Sequence, residues 1–440
     1  MYIKRNQLRQ TKSLNISVAT LTRALHAVHS QRHEIIHNIT LLLLLTLISK
    51  TVYADTAGTG DDRLDTFAPY VRGLYGYDSN LFRLQNDQSA KAVLGTTDTS
   101  ETFHTLGAGM DVNLRISRQV IQAHAEVNQT RFDKYSQLNY DGRDTYLQWN
   151  WLVGDLAAGN MGIAESVTQA SFVNIQQPIN NLIRTRKTFF NGAVNVGAPW
   201  KVKLGVDRTN ISNDAAIQQA LDSTIDTVSA GVQYQTRKGT QVEWVSQRSD
   251  GKYPNPQIVG QAPVSNGYEQ WDNGVKTNWS ATEKTALSGR LNYTQRSYTD
   301  LPQRNFSGIT GRLAMDWFVT AKTTLKAALY RDIGAVIYPT ASYAVDQGAS
   351  FGATWAPTVK VGVDVQFRHD RINYTGDPGF ILTAAPARRD QLNSIQAGVN
   401  YKVLRNTTLG LVVQRGVVHS NQALMSYKYN SAVFNMRSVF

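Results

Sequence analysis

The chain has 440 residues, no cysteine and a formal net charge of +12. Hydrophobic content of 42% with 18% charged residues is not a disordered composition, and without thiols neither disulfides nor thiolate metal sites are available. No apolar run approaches the length a membrane-spanning helix requires.

The first element in chain order is a leader. Ile39 to Ile48 reads ITLLLLLTLI, too short to cross a bilayer, with a basic region before it and Val52-Tyr53-Ala54 after it. That pattern predicts a secretory signal over 1–54, cleaved before Asp55, whose long basic region suggests a true start downstream of Met1. Seven Lys or Arg and one Glu fall within these residues, so part of the basic charge belongs to the leader. With no basic helix and no aromatic RNA-binding motif, no nucleic-acid partner is expected. A short periplasmic segment over 55–64 should follow, then one domain over 65–440.

Beyond Asp65 nearly every segment alternates with period two. Leu106, Ala108, Met110, Val112, Leu114 and Ile116 share one side, while Thr105, Gly107, Gly109, Asp111, Asn113 and Arg115 share the other. After Ser117 the alternation resumes, with Ile121, Ala123, Ala125 and Val127 opposite Gln122, His124, Glu126 and Asn128. Such alternation predicts half-buried strands and hairpins. About eighteen such segments follow one another, including Val202 to Val206, Leu287 to Tyr293, Ile309 to Trp317, Val361 to Phe367 and Ile395 to Tyr401. No helical period appears after the leader, so the apolar faces must meet each other, as in a β-sandwich, or meet lipid.

Three features favour lipid. Short connections, such as Ser117 to Gln119, Val153 to Asp155 and Ala281 to Lys284, alternate with mostly long ones, such as Asp78 to Glu101 and Val167 to Ile183. Trp149, Trp151, Trp200, Tyr234, Trp279, Trp317, Trp355 and Tyr401 stand on the apolar face beside the short turns, where an amphipathic ring suits a membrane interface. The chain also ends in an amphipathic strand in which Phe434, Met436 and Phe440 resemble the signal read by the outer-membrane barrel assembly machinery. The expected fold is all-β, a transmembrane antiparallel β-barrel of about 18 strands with short periplasmic turns and long extracellular loops, placed in the bacterial outer membrane.

The expected inward face carries Asp111, Arg115, Glu126, Asp207, Arg290, Arg312, Asp316, Asp364 and Arg368, together with Lys201, Lys203, Arg296, Lys326 and Lys360. These charges either pair across strands and stiffen the wall, or form a polar track with a modest positive bias. The histidines of the barrel, His104, His124, His369 and His419, lack metal-type spacing and read as lumen or loop residues. No nucleophile elbow, phosphate loop or dinucleotide fingerprint sits in a strand-to-helix setting, so neither catalysis nor a cofactor is expected.

The first strand runs into Tyr75-Gly76-Tyr77-Asp78-Ser79-Asn80-Leu81-Phe82-Arg83-Leu84. This resembles the start of the EpsL family of outer-membrane barrels, linked with exopolysaccharide biosynthesis clusters and exosortase systems; a related signature occurs among barrel porins more broadly. Arg184-Thr185-Arg186 is similar to a basic patch of that family. The resemblance implies a motif of Tyr77, Asp78, Asn80, Leu81, Phe82 and Arg83, and a role in polysaccharide export with periplasmic partners. Surface attachment by a plugged barrel and general diffusion of small solutes are the alternatives. Outer-membrane lipid, the assembly machinery and polysaccharide are the expected partners.

Overall fold

The computed structural model describes residues 66–173, 175–259, 262–300, 302–338, 341–376 and 386–440. The leader expected over 1–54 and the segment expected over 55–64 lie outside the described residues. Strands β1 (Phe67–Asp78), β2 (Glu101–Ile116), β3 (Gln119–Phe132), β4 (Tyr140–Val153), β5 (Ala157–Gln169), β6 (Leu182–Asn195), β7 (Trp200–Asn213), β8 (Ser223–Gln235) and β9 (Gln241–Lys252) form a continuous antiparallel meander. A small hairpin, β10 (Gln257–Val259) and β11 (Ala262–Val264), interrupts the connection to β12. The meander continues through β12 (Tyr268–Thr282), β13 (Thr285–Tyr298), β14 (Phe306–Thr320), β15 (Thr323–Tyr338), β16 (Ala341–Trp355), β17 (Val361–Thr375), β18 (Arg389–Lys402), β19 (Thr407–Ser420) and β20 (Tyr427–Val439).

The sheet is 18-stranded and closed: β1 pairs with β20 from Tyr70↔Val439 to Asp78↔Ser431. Closure gives every strand two neighbours, which a sheet needs where no water can satisfy an edge. Directly opposed residues climb as they pass around the wall. The row from Tyr70 through Gly109, Glu126, Asp144, Ser166, Thr185 and Ile211 begins near the turn end of β1 and reaches Ser223, the first residue of β8 at the loop end. Strands in this barrel are therefore tilted, as closure requires.

Short turns and long loops take opposite ends. Ser117 and Arg118 alone join β2 to β3, with Ser117 in the left-handed region at φ 57. In the β8–β9 turn the left-handed residue is Gly239, φ 85, whose N–H reaches the Thr236 carbonyl at 3.0 Å. The weakest strand of the sequence pattern, near Leu156 to Ser166, is β5. At the loop end one connection departs from the pattern, since only two residues separate β15 from β16.

Alternation puts the apolar side chains outside. Leu106, Val127, Leu204, Leu291 and Leu329 are 60–66% exposed, which on a closed barrel is contact surface for lipid. Trp149, Trp200, Tyr234, Trp279, Trp317, Trp355 and Tyr401 are exposed at the turn rim, and Trp271 and Tyr293 toward the loop rim. A closed barrel with an apolar band between two aromatic girdles is a protein of the bacterial outer membrane.

Among the described residues one α-helix corrects the expectation that the barrel region holds none. α1 (Asp87–Leu94) lies in the β1–β2 loop, capped by Asn86 and Ser89 in a reciprocal box and closed by Gly95 at φ 74. Eight residues are too few for a periodic signal; the caps hold it.

Candidate functional site: the barrel lumen

The inward register holds Asp111, Arg115, Glu126, Asp207, Arg290, Arg312, Asp316, Asp364 and Arg368, each one residue from an outward apolar or small neighbour. Lys201, Lys203, Arg296 and Lys326 share that face. Lys360 does not belong with them, because it lies in the turn before β17. Among the described histidines only His124 faces inward. His104, His369 and His419 have the parity of Leu106, Phe367 and Leu411 and stand outside near the loop rim, a correction that follows from counting along each strand.

Two clusters of paired charges stiffen the wall. In the first, His124 Nδ1 lies 2.6 Å from Asp111 Oδ1, Arg437 bonds the other Asp111 oxygen, and the Tyr70 hydroxyl donates to Glu126 Oε2 at 2.7 Å. Arg72 also bonds Glu126. Tyr70 and Tyr146 stack on either side of the His124 ring, at 6.1 and 5.6 Å between centroids. In the second cluster Arg368 lies 2.6 Å from Asp370 and 3.8 Å from Asp346, with its Nε donating to the Tyr330 hydroxyl at 2.8 Å. Buried charges of this kind persist only when paired.

A third group is different. Lys276, Arg290 and Arg312 are directly opposed on β12, β13 and β14, three cations on adjacent strands of the inward face. Arg290 reaches Asp332 at 2.6 Å, while Lys276 and Arg312 form no ion pair among the described residues. Arg312 instead lies 5.4 Å from the ring centroid of Tyr330. Like charges directly opposed repel, and among the described residues Asp332 is the one carboxylate paired with this row. Arg115 and Lys326 likewise form no ion pair among the described residues.

Loops narrow the extracellular end. The β7–β8 connection carries a 3₁₀ turn, Ala216–Leu221, whose Leu221 packs with Ala341, Ala344, Ile372 and Tyr374 of β16 and β17. Six strand positions separate β8 from β16 around the wall, so this connection reaches over the mouth. Asn255 anchors it, donating to the Gln219 carbonyl at 2.9 Å.

The Tyr77-to-Leu84 motif, which resembles a family signature, builds the other part of that end. Asp78 receives both guanidinium nitrogens of Arg83 at 2.8 Å and the Asn80 N–H at 2.8 Å. Asn80 in turn accepts from Leu84 N–H and donates to the carbonyls of Leu84 and Lys428. Phe82 is fully buried, edge-on to Tyr135 and Phe172 from two further loops, and Leu81 and Leu84 join the same cluster. Tyr77 points outward. Arg184 and Arg186 also face outward, on β6, away from the lumen. The sequence did not disclose the Lys276 row: the register that aligns β12 with β13 is needed to see it.

Residues 255–440 match the family described as "Putative beta-barrel porin 2". Among solved structures the chain is similar to the Pseudomonas aeruginosa protein OpdK, crystallised with vanillate, at 10% identity over 86% of this chain and all of that one, TM-score 0.48. It is also similar to P. aeruginosa OccK2 (OpdF), at 6% identity over 85% and 98%, TM-score 0.49, and to Acinetobacter baumannii OccAB4, at 9% over 87% and 100%, TM-score 0.47. No curated protein matches the chain. The outer-membrane barrel is porin-like.

Proposed function

We propose that this barrel is a passive channel for small, preferentially anionic solutes. The observation that carries the reading is the row of Lys276, Arg290 and Arg312, three inward cations at directly opposed positions with one ion pair between them. Guanidinium groups bind carboxylates and phosphates through paired N–H donors, and lumen charges tune what a barrel passes. A repulsive row that costs the fold stability is explained if transient anions relieve it.

Exopolysaccharide export is the second reading, and it rests on the likeness of Asp78 to Leu84. Those residues are engaged in joining three loops and the barrel seam, which leaves the polymer reading without a residue of its own. The Ala216–Leu221 turn over the mouth also opposes passage of a continuous chain.

The test is conductance in a planar bilayer under a salt gradient. Anion-selective steps that become cation-selective in Arg290→Glu/Arg312→Glu support the proposal. Unchanged ion preference overturns it. Steps that only the host exopolysaccharide blocks would favour export instead.

A further inference from the structure

On the outer wall near the loop rim, β2 to β6 form a groove of about 690 Å³ lined by Leu106, Val127, Val167, Leu182, Arg143 and Arg184. Leu106 and Val127 join it to the apolar band, and both are 66% exposed. Arg143 and Arg184 flank Val167 on the strands to either side, directly opposed to it in register. From its composition, we infer that the groove seats a phosphate-bearing anionic lipid of the outer leaflet, with an acyl chain along Leu106 and Val127 and the phosphate at Arg184, to which Arg186, two residues further along the same outward face and outside the groove lining, adds a second cation.

Charge bookkeeping around the groove supports that occupant. Glu165 is taken by Arg143, through Nε at 2.8 Å, and Asp141 by Arg131 at 2.9 Å. Arg184 and Arg186 are exposed and form no ion pair among the described residues, against one lining carboxylate, Asp214, that also has none. Two arginines two residues apart on one outward strand face stand at the height where headgroups lie, above side chains that only acyl chains can cover. Basic residues at that level attract anionic lipid, and burial of apolar surface adds to it. This site is independent of the lumen and of what the channel passes.

The experiment is native mass spectrometry of the folded barrel in a non-ionic detergent, titrated with dioleoyl phosphatidic acid, dioleoyl phosphatidylcholine and inorganic phosphate. Wild type should retain phosphatidic acid selectively, and phosphate should not displace it. Retention should fall roughly tenfold in Arg184→Glu/Arg186→Glu. It should fall also in Val127→Trp, which fills the groove without changing charge, while Arg331→Glu on the far wall retains it. Folding of each variant is checked by its gel mobility before and after heating. Equal retention in the double variant, equal retention of phosphatidylcholine, or displacement by inorganic phosphate overturns the inference.

Discussion

Arg83 returns along the chain to grip Asp78, placing one guanidinium nitrogen 2.8 Å from each carboxylate oxygen, while the face of the same guanidinium lies 3.8 Å from the ring centroid of Tyr429 on β20. One side chain thus ties the first loop to both strands of the barrel seam. Arg83 holds φ 57 to do so, a left-handed conformation uncommon for a residue with a side chain.

Arg83→Ala would leave Asp78 buried and unpaired. Breaking a buried pair from one side costs about 3–5 kcal/mol. The loss should appear as protease cleavage between Asn80 and Gly95 and as a lower unfolding midpoint in urea, with the band of β2 to β19 still inserted. A variant as resistant as wild type would show that Phe82 and its aromatic neighbours hold the loop alone.

Leu221→Ala should free the turn that crosses the mouth. Deleting a packed leucine side chain costs about 2–5 kcal/mol in a well-ordered site, enough to undock a short connection. Single-channel conductance should rise with barrel stability unchanged. Unaltered conductance would place the narrowest point elsewhere, at the level of the wall clusters.

Arg312→Gln should separate stability from selectivity. Removing one of three opposed cations relieves repulsion of about 0.2–1 kcal/mol, so the barrel should resist urea slightly better. Its preference for anions, read from the reversal potential, should weaken. A variant that loses stability would mean that stacking of Arg312 on Tyr330 outweighs the repulsion.

In the extracellular loops, Lys134 Nζ lies 2.5 Å from Asp98 Oδ2, and the Ser100 hydroxyl and N–H donate to the other oxygen. These bonds hold the Asp98 carboxyl at about 2, below its usual 3.8. A depressed folded value means that the contribution is whole above 3.8 and disappears as pH falls through 2. The protection factors of the Ser100 and Lys134 amides, taken against the intrinsic exchange rate at each pH, should fall as pH drops through that interval and stay flat above it. Loss of protection well above that interval would take the effect away from Asp98.

Phe440→Ala should slow assembly without weakening the finished barrel. Phe434, Met436 and Phe440 point outward and are 40–68% exposed, so they pack on no protein core. Insertion into vesicles should become dependent on assembly machinery concentration, while the urea midpoint of inserted barrel stays put. A fall in that midpoint would give the ring a structural role at the seam, where the Phe440 N–H meets the Pro69 carbonyl at 2.8 Å.

The barrel was legible because period-two alternation is a local property. Leu106 to Ile116 declares its two faces whatever it pairs with, and the length contrast between Ser117-Arg118 and the 79–100 loop declares which end is which. What was hidden depends on partners distant in sequence. Nothing near Leu221 announces Ile372 or Tyr374, and nothing near Lys276 announces Arg290 until strand register brings them level. The signature from Asp78 to Leu84 was visible but ambiguous: residues that join a loop and residues that bind a ligand use the same hydrogen bonds, and only Tyr429, Tyr135 and Phe172 distinguish them.

Because opposed residues climb around the wall, Lys276, Arg290, Arg312 and Tyr330 form a staircase and not a collar. A collar of cations would hold one anion in a single deep well and release it slowly. Steps at successive heights would instead divide that attraction into shallow sites, each loosening its hold as the next began to act. Strand tilt, fixed by how many strands close the cylinder, thereby sets the pitch at which a charged solute would be passed along.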